Sequence, residues 1–236
     1  MNSNRNPGRV AGFLYLLLLA APLRLLYIPT KLFVAGNATA TANNIAAHQT
    51  LFRMGIAADL FCGVALIFLV LAFYRLFKGV DSYLAVLVVI LGGVLPAAID
   101  FFNTLNDAAA LILVRGADFL SVFDKPQRDA LAMLFLRLHH QEVVAAEVLW
   151  GLWLFPLGLL VYKSRFLPRF IGVWLIINCF AYLVLSFIGL WFPHYEATAS
   201  NYAFPAELGE LALMLWLVIK GARPHPVEAA AVAASP

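Results

Sequence analysis

The amino-acid sequence predicts an all-α polytopic membrane protein, a bundle of about six transmembrane helices. Three observations predict it: an apolar composition, six apolar runs of spanning length, and cations gathered at alternate ends of those runs. Of 236 residues, 63% are hydrophobic and 12% are charged, and the mean hydropathy is +0.87. A soluble domain is about 45–50% apolar and about 25% charged. One soluble core cannot hide this much apolar surface, so lipid is the expected solvent and membrane lipids are the expected partners.

The runs are 10–27, 55–74, 82–102, 143–162, 167–192 and 205–219. Roughly 20 apolar residues cross a ~30 Å hydrocarbon core. There every backbone N–H and C=O has to be bonded internally, which leaves helices or closed barrels, and these runs lack the alternation of barrel strands. The first run follows Arg5 and Arg9, as a signal peptide would. It is long, contains Arg24 and has no small-x-small site after it, so it reads as a retained helix. Residues 30–50 are mostly small and polar before the second run. Residues 115–138 mix Asp118, Asp124, Lys125, Arg128 and Asp129 with Phe119, Phe123, Met133 and Phe135. That pattern predicts an amphipathic helix on the outer surface, running into the fourth span. The spans form one domain over 10–221, between a short N-terminal segment 1–9 and a Pro- and Ala-rich tail 222–236 expected to be disordered.

The net charge is +3. The cations do not form a nucleic-acid surface, and no nucleic-acid partner is expected. Arg5 and Arg9 precede the first span, and Arg75 and Lys78 fill the second link. Lys163, Arg165 and Arg169 fill the fourth, and Lys220 and Arg223 follow the sixth span. With six crossings all four groups lie on one face, so the positive-inside rule makes both termini cytoplasmic, in a bacterial inner membrane. Cys62 and Cys179 sit within apolar runs without metal-ligand spacing and read as small core residues.

Spans two and four share local text. Ala57-Ala58-Asp59 is followed by Gly63, Tyr74 and Arg75; Ala145-Ala146-Glu147 is followed by Gly151, Tyr162 and Lys163, at a constant offset. Both helices run inward, so a parallel internal repeat of spans two-three and four-five would explain the echo. It would give Asp59 and Glu147 matching places.

Charge within a span is costly, by roughly 2.5–3.5 kcal/mol, and faces the bundle interior. Helical rise places Arg24, Asp59 and Glu147 ~22 Å, and Tyr182 and Glu207 ~20 Å, from the basic inner ends of their spans. All five reach one level in the outer third of the membrane. Asp100, Asn103 and Asp107 follow at helical spacing on one face of span three, with Pro96 one turn earlier as a kink. His140 and Glu147 share a face of span four; His139 and Glu142 share a neighbouring one. Glu207 and Glu210 lie three apart after Pro205, where first-turn acids suit a helix dipole. Arg24 is expected to pair with Asp59 or Glu147, and the two histidines to sit in the solvated outer interface. One arginine cannot neutralise Asp59, Asp100, Glu147 and Glu207 together, so water, protons or a bound cation has to supply the balance. The candidate residues for an outward-opening pocket are therefore Arg24, Asp59, Asp100, Asn103, Asp107, His140, Glu147, Tyr182, Glu207 and Glu210. His139, His140 and Glu142 are weak metal-ligand candidates, because adjacent histidines point to different helix faces and no His-x-x-x-His exists. No cofactor is clearly indicated.

The segment Leu167-Pro168-Arg169-Phe170-Ile171-Gly172-Val173-Trp174-Leu175 leads to Ala181-Tyr182-Leu183. Further on stand Glu207-Leu208-Gly209-Glu210 and Leu215-Trp216-Leu217-Val218-Ile219-Lys220-Gly221. Together with Arg9-Val10-Ala11-Gly12, this text resembles the bacterial six-span membrane family catalogued as domain of unknown function 4386, over 9–221. The resemblance implies a multi-pass inner-membrane protein, with no established reaction and no catalytic residue to carry over.

Three functions remain open on the sequence. A binding module would take a small ligand, lipid headgroup or cation, for sensing or transport, and a homo-oligomer is compatible with transport by six spans. An intramembrane enzyme would use buried carboxylic acids, or a metal, on a lipid or isoprenoid. A structural membrane subunit would need no pocket chemistry.

Overall fold

The computed structural model describes residues 6–223. Every regular element among them is helical. Six helices are long and apolar enough to cross a membrane. They are α1 (Pro7–Leu32), α3 (Gln49–Phe77), α4 (Ser82–Arg115), α5 (Lys125–Lys163), α6 (Arg169–Trp191) and α7 (Pro193–Ile219). A further short helix, α2 (Ala38–Ala47), follows the first span and is capped by Asn37, whose Oδ1 accepts from the Ala40 amide at 2.9 Å. It lies within the polar connection expected over 30–50. The amphipathic helix expected over 115–138 begins only at Lys125 and is continuous with span four to Leu152; before it lie the end of α4 at Arg115 and a single 3-10 turn, Asp118–Leu120. The tail expected to be disordered lies outside the described residues, apart from Ala222 and Arg223.

Three spans are locally irregular, each beside a proline. In α1 a π turn, Leu23–Tyr27, follows Pro22. In α4 a π turn, Ile90–Val94, covers Gly92, whose carbonyl the ring of Pro96 would otherwise meet one turn earlier. In α5 the helix breaks at Trp153, between Lys125–Leu152 and Leu154–Lys163, with Pro156 just beyond. By contrast, Pro205 lies inside an uninterrupted helix, Glu196–Ile219. Its carbonyl accepts the Trp174 indole N–H at 3.0 Å. Span six thus begins well before Pro205, and Glu207 and Glu210 are interior residues rather than first-turn acids.

The chain forms two compact units. Among the described residues the first comprises 6–18, Ala65–Ala97 and 144–223; the second comprises Leu19–Val64 and Ala98–Val143. The first unit has a core of Tyr15, Phe73, Trp153, Leu157, Ile171 and Leu217. Tyr15 meets Phe73 and Trp153 edge to face, with centroids 5.8 and 6.2 Å apart. In hydrocarbon, helices associate by close packing, and small residues allow it. Gly158 of α5 faces Gly172 of α6, and a Cβ on either would stand 2.7 or 2.6 Å from the other's carbonyl oxygen. Near the chain ends, Asn6 Oδ1 accepts from Gly8 and Ala222 amides, both at 3.0 Å, and Arg9 donates to the Ile219 carbonyl at 3.2 Å.

Asp81 opens α4. Its side chain accepts from the Leu84 amide at 3.1 Å and from Lys163 Nζ at 3.0 Å. The amide first, then the ammonium, holds this carboxyl below the usual carboxylate range. A depressed folded pKa means the tie stabilises above the ordinary Asp value and is lost as pH falls through the folded one. Asp81→Asn keeps the cap and removes the charge. Its thermal midpoint is expected below wild type at pH 7, with the two converging below about pH 4. A gap independent of pH would show that the ion pair contributes nothing.

The second unit is held by Ile28, Leu32, Ile45, Phe52, Ala110, Leu120, Ala132 and Leu136.

Candidate functional site

The polar cluster of the second unit is built around Arg24. The π turn of α1 carries this residue, and it is only 2% exposed. Gly55 of α3 makes room for it, since a Cβ there would meet the Ile28 side chain and lie 3.1 Å from Arg24 Cδ. The guanidinium carbon stands 5.7 Å from the Phe33 ring centroid and 6.0 Å from that of Phe52. Its fork grips Asp107 of α4, with Nε donating to Oδ2 at 2.7 Å and Nη2 to Oδ1 at 2.6 Å. Asp107 is fully buried. Asp59 of α3 is a second, looser neighbour, 3.9 Å from Arg24 Nε. Two carboxylates against one guanidinium leave one negative charge when both are ionised.

His139 of α5 completes the cluster. It is 4% exposed, and Nδ1 lies 3.4 Å from Asp107 Oδ2. Neither ring nitrogen has a hydrogen-bond partner among the described residues. A buried polar atom left unpaired is costly, so this ring calls for an explanation. Ligand atoms of Asp59, Asp107 and His139 all lie within 4.8 Å of one another. A polar ladder adjoins them. Asn103 Nδ2 donates to the His139 carbonyl at 3.1 Å, and Asn106 Nδ2 reaches Asn103 Oδ1 at 3.0 Å and Glu142 Oε2 at 3.2 Å.

The first unit holds a separate arrangement. Tyr15 of α1 donates to Glu210 Oε2 of α7 at 2.5 Å, and Asn178 Nδ2 of α6 donates to Oε1 at 3.2 Å. Tyr182 of α6 also faces this carboxyl. Tyr15 was not singled out by sequence reasoning, because a lone tyrosine in an apolar span looks like packing.

The ten pocket candidates thus fall into two groups. Arg24, Asp59, Asp100, Asn103, Asp107 and His140 belong to the second unit, and Glu147, Tyr182, Glu207 and Glu210 to the first. Asp59 and Glu147, the paired positions of the sequence echo, are in different units. Of the histidines, His139 meets Asp107, whereas His140 is exposed. Arg24 pairs with Asp59 as expected, but more tightly with Asp107.

Six apolar helices with charged side chains buried among them define a multi-pass integral membrane protein. The chain belongs to the family described as Domain of unknown function (DUF4386), whose profile matches residues 10–221. It is also similar to an uncharacterized protein of Archaeoglobus fulgidus, 36% identical over 74 residues, which is 31% of this chain and 43% of that protein. The chain therefore spans less than half the length of that relative. No solved structure matches.

Proposed function

We propose that this protein is a membrane binding module that holds a small ligand, lipid headgroup or cation at Arg24, Asp59, Asp107 and His139. The observation that carries the proposal is the buried His139 ring, neither nitrogen hydrogen-bonded among the described residues, beside two carboxyls that share one guanidinium. The Arg24 fork fixes Asp107 in place, which suits a recognition site better than a carboxyl free to trade protons. In this reading the termini are cytoplasmic in a bacterial inner membrane, following the cations at the span ends, and helical rise counted from those cations puts Arg24 and Asp59 in the outer third.

A thermal-shift screen on the detergent-purified chain tests this. Its panel holds divalent cations, choline, ethanolamine and glycerol phosphate. At least one is expected to raise the midpoint, through preferential binding to the folded state, and Asp59→Asn should abolish that rise. A panel that moves neither protein would remove the binding reading.

A further inference from the structure

We infer that Asp59, Asp107 and His139 form a three-ligand site for a divalent transition-metal ion of the zinc class. The inference rests on the binding reading above and names the ligand. Its geometry is near that of a coordination shell. Zinc bonds of about 2.0–2.2 Å in a tetrahedron place neighbouring donor atoms roughly 3.4 Å apart. His139 Nδ1 and Asp107 Oδ2 already stand at 3.4 Å. The widest separation in the triad is within 4.8 Å, so closure requires an adjustment on the order of 1 Å relative to that tetrahedral edge. Asp59 is the ligand able to make it, because its side chain is 15% exposed against 0% for Asp107.

The donor set selects the metal. Imidazole nitrogen with carboxylate oxygen suits zinc, cobalt or iron, whereas magnesium and calcium take oxygen alone. A metal would also satisfy a His139 nitrogen that nothing else satisfies. Each carboxylate oxygen carries two lone pairs. Arg24 uses one on each oxygen of Asp107, and the remaining ones are free for a metal. Arg24 is then the outer partner that orients a ligand, as carboxylates and carbonyls do for metal-bound histidines. Three protein ligands leave a fourth position open for water or a ligand atom.

The test is a Co²⁺ titration of the full chain in detergent, followed by visible absorption. One equivalent is expected to give d–d bands, which one equivalent of Zn²⁺ removes and excess Mg²⁺ or Ca²⁺ leaves in place. Changing an outer partner costs about 10–100-fold in affinity, so losing a direct ligand should cost at least about 100-fold. Asp59→Asn and His139→Gln should each show that loss; if either fails to fold, the other reads the same site. No bands at one equivalent, or unchanged affinity in a folded variant, overturns the metal assignment. If Co²⁺ does not bind while choline, ethanolamine or glycerol phosphate gives an Asp59-dependent shift, the metal assignment falls and the binding reading stands. If neither binds, both fall.

Discussion

Arg24→Gln is expected to cost about 3–5 kcal/mol of stability, the penalty for removing one partner of a buried ion pair. The origin is Asp107, fully buried and bonded through both oxygens to the guanidinium at 2.6 and 2.7 Å. Glutamine carries no charge and cannot reproduce the fork, so the carboxylate is left with Asp59 as a like-charged neighbour and no cation. Replacing both partners tells a different story. A buried ion pair swapped for apolar groups of similar volume is often neutral or stabilising. Arg24→Met with Asp107→Leu is therefore expected to recover most of the loss. Titrated unfolding in mixed micelles measures both. A loss below about 1 kcal/mol in the single variant would place the pair in the class of solvent-screened bridges and contradict its burial.

Gly172→Val is expected to be the second largest effect. A Cβ at this position meets backbone on two sides, the Gly158 carbonyl oxygen at 2.6 Å and the Tyr162 amide at 2.8 Å. Neither can move aside as a flexible side chain would, so α5 and α6 have to separate. Overpacking a close contact costs typically about 1–3 kcal/mol, and two branched methyls against two backbones put this case at the upper end. Gly79→Ala is the internal comparison, since nothing lies within 4 Å of a Cβ there. Its thermal midpoint should match wild type while that of Gly172→Val falls by several degrees. Equal midpoints for the two variants would mean that the helices are not in backbone contact.

The fold was largely legible because hydrocarbon imposes a simple rule. Runs near 20 apolar residues have to be helices, and one end of several was marked by charge, as at Arg75 and Lys163. The other ends were harder. Span six extends back beyond Pro205 because a proline in a helix can be accommodated by neighbouring groups, and Glu196–Ile219 runs through it without a break. Polar residues before it, such as Ser200 and Asn201, carry no signature that separates helix from loop.

The site was legible as a set of residue types and not as a set of pairs. Arg24, Asp59 and Asp107 stand out because charge in an apolar run is costly. Which acid takes the arginine depends on helix rotation, and a π turn at Leu23–Tyr27 sets that rotation for Arg24. Composition does not record it. The histidine pair shows the same limit. Adjacent residues on a helix point about 100° apart, so His139 and His140 meet different surroundings, but spacing alone could not choose which of them is buried. The structure buries His139, where a solvated outer position was expected.

The central claim is that His139 belongs to a ligand site rather than to a dry core. The most direct measurement is the ligand-induced thermal shift of wild type beside His139→Gln, at equal concentration of the same compound. The account predicts a rise of several degrees in wild type and none in the variant. Equal shifts in the two proteins would contradict it.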